Sequence, residues 1–475
     1  MTTILRMTGR QHAELRAHLF PGDGNEAVAL ALCGRRVGES RHTLTVRKVV
    51  PVPYEDCAVR TPVRVTWSTE RLLPPLLEEA ARRGLALLKI HSHPGGLAEF
   101  SETDDDSDRD LFPSVYGWTG GEQPHASAIM LPDGRVFGRE VTEEGSFIPL
   151  SLVSVVGDRL RYFFHAESET VATAVPEFAR RHAQAFGAGT FSALKRLSIA
   201  VVGCSGTGSP VIEQLARLGV GRLVIIDPDR VEVKNLNRIL NATMEDARAR
   251  RFKVDVLARA IRCMGLETEV VPLARDLHGA DVVKMVAECD AVFGCMDNVD
   301  GRHLLNRLAV FYSLPYFDVG VKLVADGAGG VEQICGTVHY LQPDGSSLLS
   351  RSVYSMEQVR AAALYRTNPA AYREQLKSKY ITGVAEDRPA VISVNMLLAS
   401  TAVNEFLARV HDFRNDGNAP FAVNRISLTQ AQSYFEADSE PCPVLSRHTG
   451  RGDVNPLLDM PELSEVERDE AERAA

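Results

Sequence analysis

The chain of 475 residues lacks paired cysteines: its eight cysteines are scattered singly, and no C-x-x-C motif occurs. A disulfide framework and a zinc ribbon both need cysteines at short, regular spacing. We therefore expect neither a disulfide-stapled fold nor a structural zinc held by cysteine pairs.

The chain also lacks an excess of basic residues, because 53 Lys and Arg stand against 62 Asp and Glu, for a formal net charge of −9. Surfaces that bind nucleic acid or anionic membranes are normally basic. The composition thus argues against both kinds of partner. No basic-apolar leader opens the sequence, which favours a cytoplasmic location.

Long uninterrupted hydrophobic runs are missing as well. The most apolar stretch, 390–410, is broken by Asn395, Asn404 and Glu405. A membrane-spanning helix needs about 20 predominantly apolar residues. This stretch therefore predicts a buried helix and no membrane span.

Two histidines form the most informative pattern that is present. His91 and His93 follow an apolar strand predicted over 85–90, and side chains two apart on a strand face the same side. Seven residues separate His93 from Ser101, and two more separate Ser101 from Asp104. Two imidazoles and a carboxylate can hold zinc with one position open, which is the catalytic arrangement. Further aspartates follow Asp104, so spacing alone selects it.

This pattern resembles, at every position, the signature of the JAB/JAMM (MPN) metalloprotease family. The resemblance implies that His91, His93 and Asp104 hold zinc, whose water ligand supplies hydroxide near neutral pH. It also implies that Ser101 forms a hydrogen bond to the developing oxyanion or to the metal water.

Attack on an amide also needs a carboxylate that moves the proton to the leaving nitrogen. The resemblance places this base on an early strand. Glu26 opens the apolar run 27–33, which predicts a buried strand. Glu39, Glu55 and Glu70 also precede the histidines, but none begins such a strand, so we prefer Glu26.

A second pattern begins with a strand predicted over 197–202. It continues into a turn whose glycines are Gly203, Gly206 and Gly208, then a helix over 209–218 and a strand over 222–226 that ends in Asp227. Such a βαβ unit lets a phosphate approach the backbone at a helix N-terminus, and the final acid suits a ribose hydroxyl. The glycine spacing G-x-x-G-x-G departs from the G-x-G-x-x-G that is typical of dinucleotide-binding proteins. NAD or FAD therefore stays only an alternative ligand for this turn.

Polar residues further along distinguish between these nucleotides. They are Asp229, Asn235, Arg238, Lys253 and Asp297. Lys253 stands at the start of a helix predicted to run to about Met264, and Asp297 follows a strand predicted over 291–293. Here the chain resembles the adenylyltransferases of thiamine and molybdopterin biosynthesis and the adenylation domains of ubiquitin-activating enzymes. The resemblance covers roughly 194–317 and extends more loosely to about 410.

The resemblance implies that ATP binds with its ribose at Asp227 and with its phosphates near Asn235, Arg238 and Lys253. It also implies that Asp297 binds magnesium. Cations beside a triphosphate stabilise the transferring group, whereas hydride transfer needs none there. Relatives also supply an arginine from a segment before the first strand, for which Arg181 is our candidate and Arg180 nearly its equal.

The order of patterns predicts an α/β protein: an N-terminal JAMM-like domain with a mixed sheet, then a Rossmann-like, mostly parallel adenylation domain. We expect the domains at 1–155 and 193–435, joined by a connector at 156–192 and followed by a tail at 436–475 that is acidic from Glu462 onward. Within the irregular part of the second domain, 331–341 predicts a strand and 356–379 a helix.

The two resemblances together imply a bifunctional enzyme of a bacterial ubiquitin-like pathway. One half would adenylate the C-terminal Gly of a ubiquitin-like protein, and the other would mature or deconjugate it. Such a fusion resembles the activating enzymes of bacterial ubiquitin-like conjugation operons, some of which are linked to antiphage defence. Alternatives are sulfur-carrier activation for cofactor synthesis, or one catalytically inactive half that only binds. A conjugating enzyme and a homodimer are the further partners expected.

Many relatives move the activated acyl group to a cysteine. Cys442, between two prolines near the end of the chain, is our candidate acyl carrier, because that setting predicts an accessible loop. Cys204, Cys295 and Cys335 lie in or beside predicted strands. Direct transfer to a partner enzyme or to a hydroxyl acceptor is an alternative.

Overall fold

The computed structural model describes residues 1–121, 123–165, 175–378 and 389–464. The chain divides into two compact units, described separately below. The first contains Met1–Ala172 with two short later segments, Phe311–Ser313 and His448–Val454; the second contains the rest. Among the described helices, none combines the length and hydropathy that crossing a bilayer requires.

The described part of the first unit is a mixed sheet with three helices. Its strands are β1 (Thr2–Thr8), β2 (Val28–Val37), β3 (Arg41–Pro51), β4 (Cys57–Thr61), β5 (Arg64–Trp67), β6 (Ala86–Ser92), β7 (His125–Met130), β8 (Val136–Val141), β9 (Phe147–Pro149), β10 (Leu152–Val156) and β11 (Leu160–Phe164). Its helices are α1 (Gly9–Leu19), α2 (Leu73–Arg83) and α3 (Glu102–Thr119). Nine strands form one sheet in the order β11-β10-β1-β3-β2-β6-β7-β8-β9, and β4 pairs with β5 apart from it.

Strand β2 shows why this sheet is buried on both sides. Ala29 and Ala31 pack in one apolar cluster together with residues of α1. Leu30 and Leu32 point the other way into a second cluster, with residues of α2 and α3. Alternate side chains of a strand face opposite sides, so a strand covered on both faces is apolar throughout.

The second unit is built on a mostly parallel sheet. Its strands are β12 (Ser198–Val202), β13 (Arg222–Ile226), β14 (Glu269–Leu273), β15 (Ala291–Gly294), β16 (Tyr316–Ala325), β17 (Val331–Leu341), β18 (Val423–Ser427) and β19 (Gln432–Glu436). The helices numbered after α3 are α4 (Arg180–Arg196), α5 (Gly208–Arg217), α6 (Met244–Arg248), α7 (Lys253–Met264), α8 (Ala280–Ala287), α9 (Val299–Phe311), α10 (Met356–Thr367), α11 (Pro369–Lys377) and α12 (Ile392–Val410). Short 3₁₀ turns in the chain include Tyr54–Asp56, Glu177–Ala179, Val233–Asn235, Ala419–Phe421, Ser446–His448, Leu457–Asp459 and Pro461–Leu463.

The strand order β14-β13-β12-β15-β16-β17-β18-β19 places the first strand of the unit inside the sheet. The pairs from β14 to β16 are parallel, and those from β16 to β19 are antiparallel. From β12 the chain adds β13 and β14 on one side of the sheet and then β15 and β16 on the other, so the order of the strands reverses between β12 and β15. In open α/β sheets, ligands bind at the carboxyl ends of strands beside such a reversal.

The predicted fold class, a mixed-sheet α/β domain followed by a mostly parallel one, is confirmed. We expected the first domain to end near 155; β11 pairs antiparallel with β10 and extends the sheet to Phe164. The helix expected over 356–379 is two helices. Proline disfavours helix in the preceding residue, and Asn368 instead accepts a hydrogen bond from the Ala371 N–H to cap α11.

The run expected to end near Gly34 continues as β2 to Val37. The tail expected over 436–475 is partly ordered: Ser446–His448, Leu457–Asp459 and Pro461–Leu463 form short turns. Most of its acidic portion, residues 465–475, lies outside the described residues.

Candidate metal and nucleotide sites

In the first unit, β6 and α3 bring three ligand-type side chains together. The His91 Nε2 atom lies 3.0 Å from Asp104 Oδ1 and 3.1 Å from His93 Nε2. The His93 Nε2 atom lies 3.4 Å from Asp104 Oδ2. All three side chains are buried. The described residues contain no other group of three or more His, Cys, Asp or Glu ligands this compact.

Local hydrogen bonds orient the two imidazoles. The His93 Nδ1–H donates to the carbonyl oxygen of Leu97 over 2.8 Å, which turns Nε2 toward Asp104. The His91 Nδ1 atom is buried and has no hydrogen-bond partner among the described residues. Two ring nitrogens 3.1 Å apart need a proton or a cation between them. The N₂O donor set fits zinc.

Asp104 is held by the start of its own helix. Ser101 caps α3: its Oγ accepts from the Asp104 N–H, and its N–H and Oγ–H donate to Asp104 Oδ2, both over 2.7 Å. Burial alone would raise the pKa of Asp104, but the hydrogen bonds from His91 and His93 hold it below its usual range. The carboxylate therefore stays ionised, as a metal ligand must be.

A buried ion network anchors α3 one turn after Asp104. Asp108 is fully buried, and its two carboxylate oxygens accept from Lys89 Nζ over 2.8 Å and Arg139 Nη2 over 2.7 Å. Lys89 lies on β6 and Arg139 on β8, so the network joins α3 to two strands of the sheet. Sequence reasoning missed it, although Lys89 stands two residues before His91 and Asp108 four after Asp104.

Backbone pairing places Glu26 beside the histidines. Val28 pairs with His91 in the antiparallel register of β2 and β6, and continuing that register would put Glu26 opposite His93. Ser92 holds the segment before β2 against the end of β6. Its Oγ accepts from the Ala27 N–H over 2.9 Å, and its N–H donates to the Ala27 carbonyl over 3.0 Å. Sequence reasoning did not assign this role to Ser92.

The environment of Glu26 suits proton transfer. Burial raises the pKa of Glu26 to about 7; the positive charge of His93 opposes this rise and the negative charge of Asp104 adds to it. A general base works best with a pKa near the operating pH. The competing candidates Glu39, Glu55 and Glu70 are all exposed.

In the second unit, the turn between β12 and α5 requires glycine at its ends. Gly203 has a φ of 93°, and a Cβ there would lie 2.5 Å from the carbonyl oxygen of Cys295. A Cβ on Gly208, the first residue of α5, would lie 1.7 Å from the Gly203 carbonyl oxygen. The turn therefore folds tightly against the end of β15, at the reversal point of the sheet.

Asp227 and Lys253 meet next to this turn. The Asp227 carboxylate accepts from the Cys204 N–H over 2.8 Å and from the Asp229 N–H over 2.9 Å. The Lys253 Nζ atom lies 2.7 Å from Asp229 Oδ2 and 3.5 Å from Asp227 Oδ1. Burial would lower the pKa of Lys253, but the two carboxylates raise it, so the side chain remains a cation.

The other predicted nucleotide residues are less enclosed. Asn235 is buried, with its Oδ1 accepting from the Glu232 N–H over 3.0 Å. Arg238 is partly exposed, and its Nη1 donates to the Lys234 carbonyl over 3.0 Å. Asp297 is exposed in the loop between β15 and α9.

Two predicted residues lie apart from these groups. Arg181 is exposed in the first turn of α4, and among the described residues no hydrogen bond or ion pair joins it to the glycine turn. Cys442 is only 1% exposed and packs with Val310 and Leu445. The Pro-Cys-Pro sequence therefore does not form the accessible loop that we expected, because neighbouring apolar side chains bury the thiol.

Comparisons with known proteins agree with this division. The ThiF family model matches residues 179–444, more than half of the chain, and the model for prokaryotic homologues of the JAB domain matches residues 9–170. The adenylyltransferase and sulfurtransferase MOCS3 of Sus scrofa is 39% identical over 123 residues, which are 26% of each chain. The SAMP-activating enzyme E1 of Haloferax volcanii is 31% identical over 147 residues, 31% of this chain and 50% of that protein.

The sulfur carrier protein adenylyltransferase of Thermus thermophilus is 34% identical over 122 residues, 26% of this chain and 44% of that protein. The match thus spans a quarter to a half of the length of these three relatives. Among solved structures, E. coli MccB with ATP aligns with a TM-score of 0.42 and 18% identity, over 57% of this chain and 74% of that one.

Proposed function

Because this chain belongs to the ThiF family and carries a prokaryotic JAB domain, we propose that it is a bifunctional enzyme of a ubiquitin-like pathway. The second unit activates the C-terminal Gly of a ubiquitin-like protein with ATP, and the first cleaves amide bonds made at that terminus. The Haloferax volcanii and Thermus thermophilus relatives are named for activation of SAMP and for adenylylation of a sulfur carrier protein, which supports this substrate class.

The convergence of His91, His93 and Asp104 is the observation that carries the peptidase half of the proposal. These residues would hold zinc, which when bound lowers the pKa of a water ligand to about 7 and polarises a carbonyl. A carboxylate oxygen of Glu26 takes the proton of the attacking water and delivers it to the leaving nitrogen. Ser101 Oγ exchanges its hydrogen bond to Asp104 for one to the oxyanion.

The cations around the glycine turn support the activating half. Asp227 would bind the ribose, while Arg238 and Lys253 neutralise the phosphates, with Lys253 giving up its bond to Asp229. Asn235, on the turn before Arg238, adds a polar contact to the phosphate chain.

The carboxylate of the modifier attacks the α-phosphorus of ATP. The new acyl-phosphate bond forms as the α–β anhydride bond breaks, and pyrophosphate leaves. Asp297 would hold the magnesium that neutralises the leaving charge, and Arg181, brought close by movement or by a second copy of the chain, would add a further cation. Charge stabilisation of this kind is the main source of rate in phosphoryl-transfer enzymes.

The pathway implies further partners. A conjugating enzyme would receive the activated modifier, and pairing of adenylation units would make the protein a homodimer. Static light scattering at micromolar concentration tests the dimer, which a monomer mass would contradict.

A second candidate function is activation of a sulfur carrier for cofactor synthesis, with the JAB domain maturing the carrier. The similarity to MOCS3 and to the sulfur carrier adenylyltransferase favours it. The two functions share the adenylate and differ afterwards, so mass spectrometry of the modifier separates a thiocarboxylate product from a protein conjugate.

ATP–pyrophosphate exchange tests the activating half, and zinc content together with cleavage of a modifier fusion tests the other. The substrates for both tests are small proteins that end in Gly and whose genes lie near the gene of this protein. We expect exchange that depends on both the modifier and magnesium, and one zinc per chain that His91→Ala removes. Nicotinamide binding without exchange would instead point to an oxidoreductase. A wild-type protein without zinc would remove the peptidase proposal.

A further inference from the structure

Asn395, one of the polar residues that interrupt the apolar stretch 390–410, lies against the nucleotide turn. It is in the first turn of α12 and only 4% exposed. A Cβ on Gly206 would lie 2.3 Å from Asn395 Nδ2 and 3.0 Å from its Cγ. Gly206 is not among the glycines with positive φ, so the amide, rather than the backbone conformation, requires a glycine there.

The side-chain amide of Asn395 is left without a protein partner. Its backbone N–H donates to the Val391 carbonyl over 3.1 Å, as in any helix. Across residues 1–121, 123–165, 175–378 and 389–464, the side chain forms no hydrogen bond. The amide atoms are not among the fully buried polar atoms that lack a partner, so a ligand at the glycine turn can reach them. Such a ligand could accept a hydrogen bond from this amide without breaking one inside the protein.

The surroundings indicate an anionic acceptor. The Cδ atom of Arg238 lies 3.3 Å from the position that a Cβ on Gly206 would occupy. The side chain of Arg238 and the amide of Asn395 therefore both lie next to this glycine. The N-terminus of α5, a helix of ten residues, begins two residues later. Helix N-termini favour anions, and the turn before one is where backbone approaches phosphate most closely.

We propose that Asn395 donates a hydrogen bond from Nδ2 to a phosphate oxygen of the bound nucleotide. This inference rests on the proposed ATP-dependent function of the second unit. It makes α12, far along the chain from the glycine turn, part of the phosphate site, and it explains why a long apolar helix carries a buried asparagine at this position.

Titration calorimetry of the full chain with magnesium and a non-hydrolysable ATP analogue tests the proposal. Asn395→Ala removes the donor and is expected to weaken binding about 10-fold; Asn395→Asp adds negative charge beside the phosphates and is expected to weaken it about 100-fold. Asn404→Asp is the matched control, because Asn404 is exposed on the same helix. It should bind the analogue as the wild type does.

Two further measurements separate phosphate binding from a purely structural role. The melting temperature without nucleotide should be similar in wild type and Asn395→Ala, while the stabilisation by the analogue should shrink in the variant. Adenosine, which lacks phosphates, should bind both proteins equally. Equal loss of adenosine and analogue binding would overturn the proposal, as would analogue affinities within twofold of wild type in both Asn395 variants. A wild-type protein that binds no analogue at all would instead remove the proposed function itself.

Discussion

The two candidate sites differ in how much of each is assembled within the protein alone. In the first unit, three buried ligand atoms already lie within 4.8 Å of one another. In the second, the magnesium candidate Asp297 is exposed, and Arg238 is bonded to the carbonyl of its own loop.

The size of the ligand explains the difference. A metal ion needs donors only about 2 Å away, which a single strand and a helix N-terminus can supply. A nucleotide is far longer, and its phosphates must meet cations that repel one another when no phosphate is present. Substitutions at the first site should therefore affect side chains that are already in place without a ligand. Substitutions at the second site should mainly affect the nucleotide-bound state of the protein.

The largest effect is expected for the base of the metal site. Glu26→Gln removes the proton acceptor, so cleavage of a modifier fusion should fall about 100- to 10,000-fold. Zinc content, measured by plasma mass spectrometry, should not change, because Glu26 is not one of the three converging ligands. Glu39→Gln, at an exposed position, is the control and should cleave normally. Wild-type cleavage by Glu26→Gln would reject the assignment of the base.

The second prediction concerns the buried ion network around Asp108, which supports the candidate metal site. Asp108→Ala leaves Lys89 and Arg139 buried without their shared carboxylate, which should destabilise the first unit by about 3–5 kcal/mol. Asp106→Ala, on the same helix but with an 80% exposed side chain, should change stability by less than about 0.5 kcal/mol. Calorimetry that resolves separate unfolding transitions measures both. Equal stability of the two variants would show that the network does not anchor α3.

A smaller effect, confined to the ligand-bound state, is expected in the second unit. Asp297→Asn should reduce ATP–pyrophosphate exchange about 100-fold by weakening magnesium binding. Its unfolding temperature without nucleotide should stay at the wild-type value, since the side chain is exposed. Asp281→Asn, another exposed carboxylate of the unit, serves as control. If excess magnesium did not alter the exchange rate of either the wild type or the variant, Asp297 would have another role.

The smallest effect concerns the proposed acyl carrier. Cys442→Ala should leave exchange within about twofold of wild type, because the thiol is buried among apolar side chains. Gel electrophoresis with and without reductant tests whether a thioester with the modifier forms and whether this variant loses it. Loss of such an adduct would establish Cys442 as the acceptor and require its segment to open during the reaction.

Local periodicity made several elements predictable from sequence. The strands over 222–226 and 331–341 and the helix over 253–264 were expected within these bounds and occur there. The stretch 390–410 was expected as a buried helix, and α12 occupies most of it. The period-two spacing of His91 and His93 likewise indicated a shared face, since strand geometry alone decides it.

Other features depend on residues far apart in sequence. The pairing of Ser92 with Ala27 and the ion network at Asp108 each join segments more than ten residues apart, and no local pattern identifies such partners. The burial of Cys442 is of the same kind, because Val310 lies far from it in the chain.

The sequence by itself determined which chemistry we propose for each unit, because metal ligands and phosphate-binding turns need particular side chains at particular short spacings. Only the tertiary structure decided which side chains are buried and which lie beside these patterns. It buried Glu26 near His93, buried Cys442 and brought Asn395 onto Gly206. Strand register, helix packing and burial arise from contacts between distant segments, and spacing along the chain does not encode them.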